Sequence, residues 1–115
     1  MFSKAMWKWC FSLTLLVFAS GALAQTYANP GPITQFNSAW GSDGFAVTVP
    51  GPYINPANCS STGSYSMYST NGGYKTALAT ALSAVVSRQN VTVIVNNTTC
   101  AEDGRPLIYG ININP

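Results

Sequence analysis

The chain is 115 residues long, has no histidine, and carries charge at only 7% of its positions. Its excess of five Lys and Arg over three Asp and Glu comes from Lys4 and Lys8, so no basic patch beyond them argues for nucleic acid. With histidine missing, the commonest general base is absent and an enzyme is not expected.

Residues 1–24 read as a secretory signal. Lys4 and Lys8 form a basic opening, Cys10 to Ala19 an apolar core, and Ala22-Leu23-Ala24 a small-residue cleavage site. The apolar run is too short to span a bilayer comfortably, and no second run follows it, so no membrane span is expected. Cleavage after Ala24 makes Gln25 the new N-terminus and delivers the chain to a periplasm or to the medium. Lys75, Arg88 and Arg105 then balance Asp43, Glu102 and Asp103, and the mature chain is formally neutral. Roughly 90 residues make one small domain with a limited core. So sparse a charge set is unusual for a solvated monomer, and points to burial in an oligomer or against a partner.

Residues 25–32 are rich in turn formers and read as a flexible lead-in to a single domain spanning 33–115. Ile33 to Trp40 reads as a first strand, with a hairpin turn at Gly41-Ser42-Asp43-Gly44. Phe45, Val47 and Val49 alternate with Ala46 and Thr48 as a second strand, stopped by Pro50-Gly51-Pro52. A loop carrying Cys59 leads to a short third strand, Ser64 to Tyr68.

Tyr74, Ala77, Leu78, Ala81, Leu82, Val85 and Val86 then recur at helical spacing. They predict a helix from about Gly72 to Arg88, capped by Thr70 or Asn71, that buries Leu78, Leu82 and Val86. Its outward face carries Thr76, Ala79, Thr80, Ser83, Ala84 and Ser87, with charge only at Lys75 and Arg88. Small uncharged residues let another backbone approach closely, so this face is a candidate homo-oligomer contact.

Asn90 breaks the helix, and Val91, Val93 and Val95 alternate as a fourth strand ending at Asn96. A polar loop holding Cys100 runs to Arg105. Leu107, Tyr109, Ile111 and Ile113 alternate with Ile108, Gly110 and Asn112 as the last strand. The order β-β-β-α-β-β matches a small OB-like five-stranded barrel, mainly β, with its one helix between the third and fourth strands. An α+β sandwich with the helix on one face is the alternative.

Cys59 and Cys100 form one candidate disulfide in an oxidising compartment. Metal binding by the same thiols is disfavoured, since neither histidine nor a further mature cysteine could complete a site. No cofactor motif is present. Glu102 and Asp103 are adjacent, unlike the separated carboxylates of glycoside cleavage, and read as a solvated turn beside Gly104. Lys75 reads as a surface charge. Sequons at Asn58, Asn90, Asn96 and Asn97 matter only in a eukaryotic secretory pathway.

Aromatics are the remaining functional candidates. Phe36, Phe45, Tyr74 and Tyr109 are expected in the core, whereas Trp40 and Tyr53, beside turns, are the expected exposed pair. Aromatic faces with Asn, Ser and Thr nearby suit sugars, so Trp40 and Tyr53 are candidate ligand contacts.

Three features together resemble the receptor-binding B subunits of bacterial toxins of the subtilase-cytotoxin and typhoid-toxin kind. They are the opening strand Ile33-Thr34-Gln35-Phe36, the helix with Tyr74 and Ala81-Leu82 followed by a Gln89-containing joint into Val91, and the export signal. The resemblance implies an OB-like barrel, a ring of five with helices lining a pore, and glycan binding at the rim. It also implies a sugar contact at Asn29, where the toxin subunits carry serine. The cysteine placement differs from theirs and the C-terminal segment is shorter. The expected function is a secreted, non-catalytic, glycan-binding module that acts as an oligomer. A secreted or periplasmic protein-binding or inhibitor-type domain is the alternative.

Overall fold

The structure is a computed structural model that describes residues 24–115. The export signal read in residues 1–24 therefore lies, apart from Ala24, outside the described residues. Among the described residues no helix is long and apolar enough to cross a membrane.

The domain is mainly β with one helix. Its strands are β1 (Gln25–Tyr27), β2 (Gly31–Pro32), β3 (Gln35–Ser38), β4 (Gly44–Thr48), β5 (Tyr65–Tyr68), β6 (Asn90–Cys100) and β7 (Pro106–Asn114), with α1 (Tyr74–Ser87) between β5 and β6. One mixed sheet runs β1-β6-β7-β5-β4-β3, and β2 also pairs with β6. All pairings are antiparallel except β5 with β7, which meet at Ser66 and Leu107.

The expected OB-like barrel of five strands is not what forms: the sheet is open. β3 ends the sheet on one side, and the outer edge of β6 is taken by β1 and β2. The segment read as a flexible lead-in supplies those two strands, so two elements precede the expected order. Its turn formers hid a pairing signal. Ala28 is buried and its N–H donates to the Val93 carbonyl at 2.9 Å. Strand β6, with Val91, Val93 and Val95 fully buried, needs a partner on each edge because an unpaired backbone beside the core is costly.

The helix is present but rotated from its expected face. It meets the core through Ala77, Ala81 and Ala84, while Leu78 is only half-buried. Leu82 is 44% exposed and Val86 83%, so neither is the buried anchor its spacing predicts. Alanines carry no bulk and let α1 lie close to β7, and that approach turns the branched side chains outward. Ala84, expected on the outer face, is inside. Neither Thr70 nor Asn71 caps the helix: the N-cap is Gly73, in the left-handed region at φ 79°. At the other end Arg88, at φ 58°, returns its N–H to the carbonyls of Ala84 and Val85 and stops the helix before Asn90.

Cys59 and Cys100 are joined, with their Cα atoms 5.8 Å apart. The bridge ties the loop after β4 to the end of β6, closing a separation of 41 residues. A cross-link of that span stabilises by about 4 kcal/mol in the chain-entropy model. Asn55 supports it locally: its side-chain carbonyl accepts from Cys59 N–H at 2.8 Å and its amide donates back to the Cys59 carbonyl at 2.9 Å.

The alanine seam makes a contrast that denaturant unfolding can measure. Ala81→Leu should destabilise the domain by about 1–3 kcal/mol through overpacking. Val86→Thr should stay within about 0.5 kcal/mol, as surface changes do. Equal losses would show that Val86 is packed inside.

Candidate functional site

The short connection between β3 and β4 holds Trp40 outward. Ala39 N–H donates to Gly44 at 3.0 Å, and both Ala39 (φ 62°) and Gly41 (φ 82°) take left-handed backbone to close the turn. Trp40 is left 60% exposed. Gly44 pairs with Tyr68 on β5, whose ring crosses the glycine so closely that a Cβ there would lie 2.6 Å from it. That absence of a side chain lets Tyr68 reach the turn between β6 and β7.

This turn, residues 101–105, was expected to be solvated; its Asp103 is partly withdrawn from water. Asp103 Oδ1 accepts from Ser66 Oγ at 2.8 Å and from Arg105 N–H at 3.0 Å. Its Oδ2 pairs with the Arg105 guanidinium at 2.6 Å. Burial acts to raise the Asp103 pKa, but these hydrogen bonds and the cation outweigh it and hold the carboxyl below its usual range. Burial, then the negative charge of Asp103, push the Tyr68 phenol up. Glu102 remains exposed and accepts from Thr70 Oγ1 at 2.8 Å.

Arg105 links this pair to the tryptophan. Its guanidinium carbon lies 5.4 Å from the Trp40 ring centroid, a cation–π contact that steadies the indole. The gap beneath Trp40, bordered by Asn37, Phe45, Tyr68 and Asp103, is about 10 Å³, which fits one water and no sugar ring. A ligand would therefore rest on the outer face of the indole. The site is an aromatic platform with a fixed carboxylate–guanidinium pair beside it.

Of the other expected ligand contacts, Tyr53 stacks on Tyr65 with centroids 4.9 Å apart and donates its hydroxyl to the Ser64 carbonyl at 2.8 Å. Burial, reinforced by Tyr65, pushes its phenol up to about 12, with Arg105 and Asp103 also within electrostatic reach. Tyr53 and Trp40 thus both neighbour the 101–105 turn, although the Tyr53 hydroxyl is committed inward. Asn29 is exposed and packs by Gly51, whose Cβ would lie 3.6 Å from that of Asn29. Residue spacing gave no sign of Ser66, Tyr68, Asp103 or Arg105. The one usable signal was Cys100, since a bridge to Cys59 pulls the following turn toward β5.

A second surface lies on the helix. Leu82, Val85 and Val86 are exposed, and a groove of about 350 Å³ beside them is lined by Pro32, Ile33, Ala84, Val85, Arg88 and Gln89. Among the described residues no group of three or more His, Cys, Asp or Glu side chains could hold a metal ion. Compared with protein-family models, curated proteins and solved structures, the chain matches none.

The bound state of Asp103 sets a pH dependence. Its folded pKa is depressed, so its contribution is complete above the unfolded value near 4 and is lost as pH falls through the folded one. Asp103→Asn should lower stability at pH 7 and flatten the acid limb of a denaturation series run from pH 7 to 2. An unchanged acid limb would mean that another carboxylate governs it.

Proposed function

We propose that this chain is a secreted, non-catalytic binding module for carbohydrate, working as an oligomer in the manner that its resemblance to toxin B subunits implies. The observation that carries the reading is the Trp40 platform, an exposed indole held by Arg105 next to the ionised Asp103. Pyranose rings present C–H faces to indoles and hydroxyls to carboxylates and guanidinium groups, and this corner offers both. The Asp103–Arg105 pair is internally neutral, which suits hydroxyl donors and acceptors better than a strongly charged ligand. The parallel pairing of β5 with β7, the strands on either side of α1 and β6, supports an OB-like arrangement, even with the sheet left open.

Glycan-array binding by the mature chain tests the reading. The native protein should retain a restricted set of glycans, and Trp40→Ala should weaken that retention by roughly tenfold, about 1.4 kcal/mol. No retention across neutral and sialylated glycans would reject the carbohydrate reading.

A second reading, a module that grips another protein, is favoured by the apolar helix face. Contiguous exposed Leu82, Val85 and Val86 mark an interaction surface. Sedimentation separates the two uses of that face. Oligomeric mass that falls to monomer in Val86→Asp would assign the face to a second copy. A native monomer would overturn the oligomer, and recovery of one stoichiometric protein partner that Val86→Asp loses would assign the face to a different protein.

A further inference from the structure

Tyr109 was expected in the core, and it is 53% exposed. The reason lies in the register of β6 against β7. Ile94 pairs with Gly110 and Val95 with Ile108, which leaves Tyr109 as an extra residue with no partner on β6. A bulge of this kind breaks the inward–outward alternation and re-aims a side chain. Ile108, expected to face outward, is consequently buried at 1% exposure, while the phenol ring of Tyr109 turns outward.

Two grooves meet at that ring. One, of about 460 Å³, is floored by Met67, Leu107 and Ile108 and bordered by Asn71, Gly72 and Asn96. The other, of about 260 Å³, runs between α1 and β7 past Thr76, Thr80 and Asn112. Among the described residues no charged side chain lines either one.

The two amides of the larger groove are held in place from behind. Asn71 Oδ1 accepts from Tyr68 N–H at 2.8 Å. Asn96 Oδ1 accepts from the N–H groups of Thr98 and Thr99 at 2.9 and 2.8 Å. With each carbonyl oxygen committed to the backbone, each NH₂ group remains a positioned donor that no acceptor among the described residues takes. Fixed donors beside an aromatic face in a groove of this volume are the general make-up of a small-ligand site.

We infer that the Tyr109 bulge builds a second carbohydrate subsite, selective for neutral sugars, separate from the Trp40 platform. The ring accepts the C–H face of a pyranose, and the Asn71 and Asn96 amides donate to its ring and hydroxyl oxygens. With no cation among its described lining residues, the groove gives a carboxylate or sulfate group hydrogen-bond donors but no opposite charge, so a neutral sugar loses nothing by comparison. The inference rests on the carbohydrate reading and deepens it.

The test uses glycan and peptide arrays with the native mature chain and three variants. Tyr109→Ala removes the platform and Trp40→Ala removes the other one. Gly72→Gln fills the groove: a Cβ at Gly72 meets nothing within 4 Å, and its backbone is not left-handed, so the change is tolerated. Circular dichroism confirms that each variant is folded.

The expected result is that Tyr109→Ala and Gly72→Gln each weaken retention of neutral glycans by roughly tenfold, with part of the native pattern surviving in Trp40→Ala. Loss in Trp40→Ala alone, with native patterns in the other two, would overturn the second subsite and leave the carbohydrate reading standing. Loss in Tyr109→Ala alone would overturn it as well, since an occupied groove must also respond to Gly72→Gln. Capture of peptides in place of glycans, abolished by Tyr109→Ala, would overturn the ligand class. Absence of any glycan retention by the native chain would reject both readings together.

Discussion

Strand β6 is the constraint on which the molecule depends. Val91, Val93 and Val95 put its inner face wholly in the core, and both of its edges are hydrogen-bonded, to β7 on one side and to β1 and β2 on the other. A strand buried in this way tolerates no free edge, because its N–H and C=O groups would lose water without gaining partners. The occupied outer edge also explains why the sheet stays open. β3 cannot close onto β6 when the N-terminal segment is already there.

The same strand organises the candidate sites. Its far end carries Cys100, and the bridge to Cys59 brings the next turn under β5. There Ser66 and the turn's own backbone supply donors that keep Asp103 ionised, and Asp103 in turn orients Arg105 beneath Trp40. Along its middle, the register shift against β7 ejects Tyr109. Two exposed aromatic platforms thus trace back to one strand, the first through a covalent tie and the second through a missing pairing partner.

The helix adds a different kind of surface. A contact made through alanines buries little area per residue, but it permits a close approach that larger side chains would prevent. The cost is an outward row of branched residues on a domain with very few charges. Grouped exposed apolar side chains of this kind are what make the helix face a candidate interaction surface.

Much of the architecture was legible from residue order. Period-two runs located β3, β4, β5 and β7 to within a few residues, and β6 apart from its last four residues, which were expected in the following loop; the 3.6-residue spacing located α1, and the two cysteines of the described chain left one pairing. Trp40 was recognisable as exposed because a glycine-rich turn follows it. These features are local: neighbouring residues decide them. Which helix face points inward was not legible, since alanine and leucine both fit an apolar stripe and only the spacing between α1 and β7 selects between them. The pairing of residues 25–32, the setting of Asp103 and the outward turn of Tyr109 were hidden for the same reason. Each depends on where a distant strand lies, through edge completion, through hydrogen bonds from Ser66, and through a one-residue register shift. Tertiary structure alone decided them.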